Sequence, residues 1–170
     1  MKVFIGGSRK ISRINQEIKN RIDNLIKNNS IILIGDANGV DKSIQAYLFS
    51  KNYKNVYIFC VNNECRNNLG EWEVRHISYD SYKKDYKYYS SKDINMAKET
   101  DFGFMIWDGE SKGTLNNIIN LIKQKKKVLV YFSPKKAFYN IGNFADLNSI
   151  FPKCRDLSSE IFPNLFSELQ

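Results

Sequence analysis

The chain reads as an α/β fold, a mainly parallel five-stranded sheet with helices on both faces, and three observations predict it. Short, nearly continuous apolar runs recur at Val3-Phe4-Ile5, Ile31-Ile32-Leu33-Ile34 and Phe104-Met105-Ile106-Trp107. Such runs suit strands buried on both faces. Between them lie stretches with apolar residues at helical spacing, and each run ends in a glycine-bearing loop that opens the next helix. Right-handed crossovers then make the sheet doubly wound.

The elements follow in order. Residues 2–6 form a buried strand, and Ile14, Ile18, Ile22, Leu25 and Ile26 draw a helical stripe over 14–28. A second strand covers 31–35. Val40, Ile44, Tyr47 and Leu48 form another helical face, and 55–61 is a third strand. The rhythm breaks over 62–91, where Trp72, Tyr79, Tyr82, Tyr86, Tyr88 and Tyr89 alternate with Arg66, Arg75, Lys83, Lys84 and Lys87. This segment reads as an insertion whose composition suits base stacking, a subunit contact or a loop packed on the core. A helix over 91–100, a strand at 102–107, a helix over 114–125 and a fifth strand at 127–132 complete the pattern. Residues 1–134 are therefore expected to form one domain. Residues 135–170, with Ala137, Phe138, Ile141 and Phe144, are expected to pack on it as an extension.

Composition bounds the function. With 170 residues, 42% of them hydrophobic, the chain can bury a continuous core. Its net charge of +8 favours anionic partners, although lysines spread over helices serve equally as a solvated surface. No apolar stretch reaches the roughly 20 residues of a spanning helix, and no leader-like segment opens the chain, so a cytoplasmic protein without a membrane partner is expected. The three cysteines, Cys60, Cys65 and Cys154, read as reduced structural thiols. His76 is the only histidine. A His-rich metal site and most His-based acid/base mechanisms are excluded, and neither a metal nor a cofactor is expected.

The chemistry gathers in the three loops: Gly6-Gly7-Ser8-Arg9, Gly35-Asp36-Ala37-Asn38-Gly39-Val40-Asp41 and Trp107-Asp108-Gly109-Glu110-Ser111-Lys112-Gly113-Thr114. In a doubly wound sheet, ligands occupy the crevice outside the carboxyl ends of the strands. If the first strand lies between the second and the one at 102–107, all three loops line one crevice. Glycines let backbone N–H groups approach an anion, and Arg9 can hold a phosphate bidentately. Ser111, Lys112, Gly113 and Thr114 present a hydroxyl, a cation and a helix start to a second anion. Asp36, Asp41 and Asp108 can accept ribose hydroxyls. Each loop alone reads as well as a turn with Asp41, Ser111 or Thr114 as a helix cap.

Over residues 2–132 these motifs resemble the SLOG superfamily of Rossmann-like domains, which includes LOG phosphoribohydrolases, the DNA-processing protein A family and nucleotide-sensing domains of bacterial defence. The Gly7-Ser8-Arg9 start and the Gly35 to Asp41 segment carry the resemblance, and the Trp107 to Thr114 segment is also similar to nucleoside deoxyribosyltransferases. The resemblance implies a pocket for a nucleotide or ribose-phosphate derivative and a homodimer. In the enzymes of the group a glutamate three residues after the threonine takes part in N-glycosidic chemistry, and here that position is Asn117. An amide can bond a ribose hydroxyl but cannot act as a carboxylate nucleophile. Binding or sensing of a nucleotide-derived small molecule is thus the leading expectation. An N-glycosidic enzyme using Asp108, Glu110 or Asp36, with Glu71 and Glu73 as further carboxylates, and a single-stranded DNA-binding module are the alternatives.

Overall fold

The computed structural model describes residues 1–81 and 83–154; Tyr82 and the part of the expected extension beyond 154 lie outside the described residues. Its elements are β1 (Lys2–Gly7), α1 (Gln16–Lys27), β2 (Ile31–Gly35), α2 (Val40–Ser50), β3 (Val56–Val61), β4 (Glu73–Ile77) and α3 (Tyr86–Glu99). There follow β5 (Phe102–Trp107), α4 (Lys112–Lys123), β6 (Val128–Phe132), a 3-10 turn at Ser133–Lys135, β7 (Ala137–Ile141) and α5 (Phe144–Ile150).

The strands form one sheet in the order β4-β3-β2-β1-β5-β6-β7, parallel throughout except for the antiparallel β6–β7 pair. It has seven strands, not the five expected. Both additions are edge strands, and neither is a continuous apolar run. β4 exposes Glu73, Arg75 and His76, and β7 buries only Ile141 fully. An edge strand tolerates this because one side faces solvent, where charge also discourages pairing with another chain. β1 does lie between β2 and β5, as the crevice requires.

Alternation along the strands sorts the core onto two faces. Val3, Ile5, Ile32, Ile34 and Ile58 pack with Ile18 and Ile22 of α1 and Ile44 and Leu48 of α2. Phe4, Leu33, Phe59, Met105 and Trp107 pack on the other face with Met96 of α3, Leu115 and Ile118 of α4, and Leu147 of α5. Four of the described α-helices, all but α2, begin on side-chain caps, which satisfy otherwise orphaned N–H groups of the first turn. Asn15 accepts from Ile18 N, Asp85 from Tyr88 N, Ser111 from Thr114 N and Asn143 from Asp146 N. The Asp85 cap starts α3 at Tyr86, well before the 91 expected from apolar spacing. The tyrosines of its first turns carry no apolar stripe.

The expected reduced state of the cysteines is corrected for two of them. Cys60 and Cys65 are joined in a disulfide across a tight loop, with their Cα atoms 5.2 Å apart. Cys154 is a free, buried thiol, which burial pushes up to about 12. Among the described residues no helix is long and apolar enough to cross a membrane.

Candidate functional site

A cavity of about 500 Å³ opens at the carboxyl ends of the central strands. The amino-terminal ends of three helices reach it: Ala37 and Asp41 at the start of α2, Asp85 and Tyr86 at the start of α3, and Ser111, Lys112 and Gly113 at the start of α4. Helix starts carry partial positive charge and unpaired N–H groups, so their convergence favours an anion. Of the expected site residues, Gly6, Gly7, Arg9, Ala37, Asp41, Asp108, Glu110, Ser111, Lys112, Gly113, Thr114 and Asn117 line this cavity. Ser8, Gly35, Asp36, Asn38, Gly39, Trp107 and Gly109 do not.

Most of the latter group shape the walls. Ser8 is fully buried; its Oγ accepts from Asp108 N at 3.1 Å and lies 3.4 Å from Thr114 Oγ1, which in turn donates to Ser111 Oγ at 3.0 Å. This hydroxyl chain joins the first and third loops. Trp107, 1% exposed, is a core residue whose Nε1 donates to the Ser111 carbonyl at 3.1 Å. Asn38 accepts from Asn67 Nδ2 outside the cavity. Gly39 adopts φ +81°, where a side chain is strained, and a Cβ there would collide with the Arg9 backbone. It therefore sets how closely the second loop approaches the first.

The three carboxylates expected for turnover are each engaged. Asp108 Oδ1 accepts from Glu110 N at 2.9 Å and Ser111 N at 2.8 Å, which makes it the internal brace of its loop. Glu110 is exposed and pairs with Lys10 at 3.3 Å. Asp36 is buried and held by Arg66, whose Nη2 donates to Oδ1 at 2.7 Å while its backbone N and Nε donate to Oδ2 at 2.9 and 3.2 Å. Burial alone would raise the Asp36 carboxyl, but the Arg66 hydrogen bonds and the Lys92 charge outweigh it and hold it below the ordinary carboxylate range.

The site also contains residues outside the three expected loops, of which Lys92 was passed over in the sequence and Tyr86, Tyr89 and Arg66 belong to the aromatic and basic segment. Lys92, 4% exposed, donates to Asp93 Oδ1 at 2.8 Å and lies 3.9 Å from Asp36 Oδ1. Burial would lower its ammonium, but Asp93, Asp41 and Asp36 around it hold it above the ordinary lysine range. The cluster fits because residue 35 is glycine: a Cβ there would stand 2.6 Å from Asp41 Oδ2 and 2.7 Å from Lys92 Nζ. Tyr86, 49% exposed, and Tyr89 bring aromatic rings to the cavity, and the guanidiniums of Arg66 and Arg9 lie 4.8 and 5.5 Å from the Tyr89 ring centroid. The mixed tyrosines and basic residues of 62–91 were the available signal for these. A lysine amid Ser90-Ser91-Lys92-Asp93 offered none.

Asp41 is the cavity carboxylate with an unusual proton affinity. Burial pushes it up to about 6, against the pull of Lys92, while Ala37 N donates to its Oδ2 at 3.2 Å. The folded state thus binds this proton more tightly than the unfolded chain does. Its contribution to stability is full below about pH 4 and is lost as pH rises through about 6, a fall on the order of 2–3 kcal/mol. Asp41→Asn is expected to remove that fall. Urea midpoints for variant and wild type that run parallel from pH 4 to 6 would show instead an ordinary carboxylate.

Two polar groups that line the cavity bear on a ligand. Asn117, 7% exposed and one turn into α4, has its Oδ1 buried without a hydrogen-bond partner. Arg9 makes no ion pair among the described residues, and no group of three His, Cys, Asp or Glu side chains among them is placed to hold a metal ion.

No family model matches the chain, and no curated protein does. Among solved structures it is similar to DNA processing protein A from Helicobacter pylori, a structure described for its single-stranded DNA binding mode. The two share 17% identity with a TM-score of 0.55, over 76% of this chain and 64% of the other, so the chain spans less than two thirds of that protein's length. The likeness is one of fold.

Proposed function

We propose that the cavity binds a nucleotide or ribose-phosphate derivative, in a SLOG-like domain that holds its ligand without turning it over. The observation that carries this reading is the convergence of three helix amino termini and an Arg9 without an ion pair on one cavity. Arg9 and the start of α4 around Gly113 face the phosphate, with open space where a Gly113 side chain would stand. Asn117 meets a hydroxyl of the sugar, since a buried amide oxygen without a partner calls for a donor. Tyr86 at the rim offers a ring for the base. Binding without turnover is supported by the replacement of the glutamate by Asn117 and by Asp108 and Asp36, which are committed to protein partners.

The test is a thermal-shift and calorimetric screen with adenosine monophosphate, the nucleoside di- and triphosphates and ADP-ribose, followed by mass spectrometry of the recovered ligand. Intact ligand supports a binding domain; released base establishes an N-glycosidic enzyme. Arg9→Ala is expected to weaken a ligand found this way about 10- to 100-fold, the worth of a charge-assisted contact of about 1.5–3 kcal/mol, with an unchanged circular dichroism spectrum. Equal affinity in the variant would remove the phosphate from Arg9.

A second reading is favoured by the fold likeness together with the basic and aromatic wall of Arg9, Arg66, Lys84, Tyr86 and Tyr89. On this reading the same cavity receives a nucleotide of single-stranded DNA. Oligonucleotide binding that weakens steeply between low and moderate salt supports it, and a flat response at low salt removes it.

A further inference from the structure

The loop after β3 is closed by one covalent bond, and its hydrogen bonds to β4 and Tyr79 gather at its first residue, Asn62. Cys60 is fully buried in β3, whereas Cys65, its disulfide partner, is exposed. Val61 and Glu64 form a single bridge, Glu64 pairs with Lys84 where both ends are largely exposed, and Asn62 donates its N–H to the Ile77 carbonyl at 2.9 Å and accepts from Tyr79 N at 2.9 Å. Exposed pairs contribute little. Asn62, Asn63 and Glu64 supply no apolar side chain to anchor the loop.

The next residue is Arg66. Its backbone N–H and its guanidinium both hold Asp36 of the second loop, and the guanidinium lies against Tyr89 of the cavity wall. The disulfide therefore ties β3 to the neighbour of Arg66, the residue that connects the second loop to α3.

We propose that the Cys60–Cys65 disulfide is a redox-controlled clasp on the cavity: closed, it holds Arg66 on Asp36 and Tyr89; opened by a dithiol reductant, it releases this wall and weakens the ligand. Only the last clause rests on the proposed function. The chemistry is thiol–disulfide exchange. A thiolate of the reductant attacks the exposed Cys65 sulfur, the S–S bond breaks, and the Cys60 sulfur leaves with the bonding pair and takes a proton. The reductant's second thiolate attacks its own sulfur in the mixed disulfide and frees Cys65, which is also protonated. The protein gains two electrons and two protons, and the reductant leaves as a cyclic disulfide.

The test compares amide hydrogen exchange in the oxidised protein, in the protein reduced with dithiothreitol, and in Cys65→Ser, which changes only the exposed member. Opening is expected to speed exchange at Arg66, at 36–41 and at 86–90 by about tenfold or more, with β1 and β5 unchanged. Adenosine monophosphate, as the probe, is expected to bind about tenfold more weakly to the opened forms. Arg66→Gln is expected to bind the probe like the reduced protein and to stop responding to dithiothreitol. Unchanged exchange in these segments on reduction overturns the clasp, even where the probe binds equally in both states and the pocket reading stands. Faster exchange spread evenly over the sheet also overturns it, because the disulfide is then a general stabiliser. Faster exchange confined to the three segments, with no probe bound in either state, upholds the clasp and sinks the pocket.

Discussion

Lys92→Ala is expected to lower stability at pH 7 by about 3–5 kcal/mol, the cost of leaving buried charge uncompensated. Lys92 is the cation at the centre of Asp36, Asp41 and Asp93, packed where Gly35 has no Cβ to touch it. Arg66 still holds Asp36 in the variant, so the penalty falls on Asp41 and Asp93. Without the ammonium the Asp41 carboxyl is pushed further up, and a raised folded-state value contributes stability at low pH that is lost as pH rises. The deficit is therefore expected to shrink between pH 7 and pH 5, as read from urea unfolding at the two pH values. A loss under about 1 kcal/mol at pH 7, of the size of an exposed pair, would mean that solvent reaches the cluster.

Gly39→Ala is the second large effect. Its backbone stands at φ +81° and ψ −127°, and the added methyl would drive into the Arg9 backbone. Conformational strain of about 1–3 kcal/mol adds to that collision, and a total loss of 3 kcal/mol or more is expected. Arg9 is displaced in the same stroke, so any folded fraction should bind ligand poorly. Gly113→Ala is the contrasting control, because nothing lies within 4 Å of its Cβ position. Alanine inside α4 should raise stability by about 0.5–1 kcal/mol. If both substitutions change the melting temperature alike, the argument from local backbone geometry fails.

These two sites differ in how far the sequence reveals them. Gly39 stands in a loop whose place between a buried strand and an amphipathic helix is legible from periodicity, as are β1, β2, β3, β5 and β6. Periodicity reports whether one element has a buried side. It does not report which residues meet across the fold. Lys92 is buried only because Asp36 and Asp41 come from another part of the chain, and Asp36 is committed only because Arg66 arrives from a segment that lacks an apolar pattern. β4 and β7 escape for the related reason that half-exposed edge strands have no continuous apolar run. The loops of the cavity could thus be located from the sequence, whereas the division of labour among their carboxylates could not.

The strand order has a consequence for the chain as it is made. β1 emerges before the other strands of the sheet yet ends at its centre, where Val3 pairs with Ile32 on one side and with Phe102 on the other. A nascent chain can join β1, β2 and β3 early through local crossovers, but the second flank of β1 stays open until β5 has left the ribosome. Closing so distant a pair slows folding, and the waiting half-sheet exposes an apolar edge meanwhile. Chains stalled short of residue 107 should therefore aggregate or recruit chaperones, whereas chains extended past β6 should resist proteolysis.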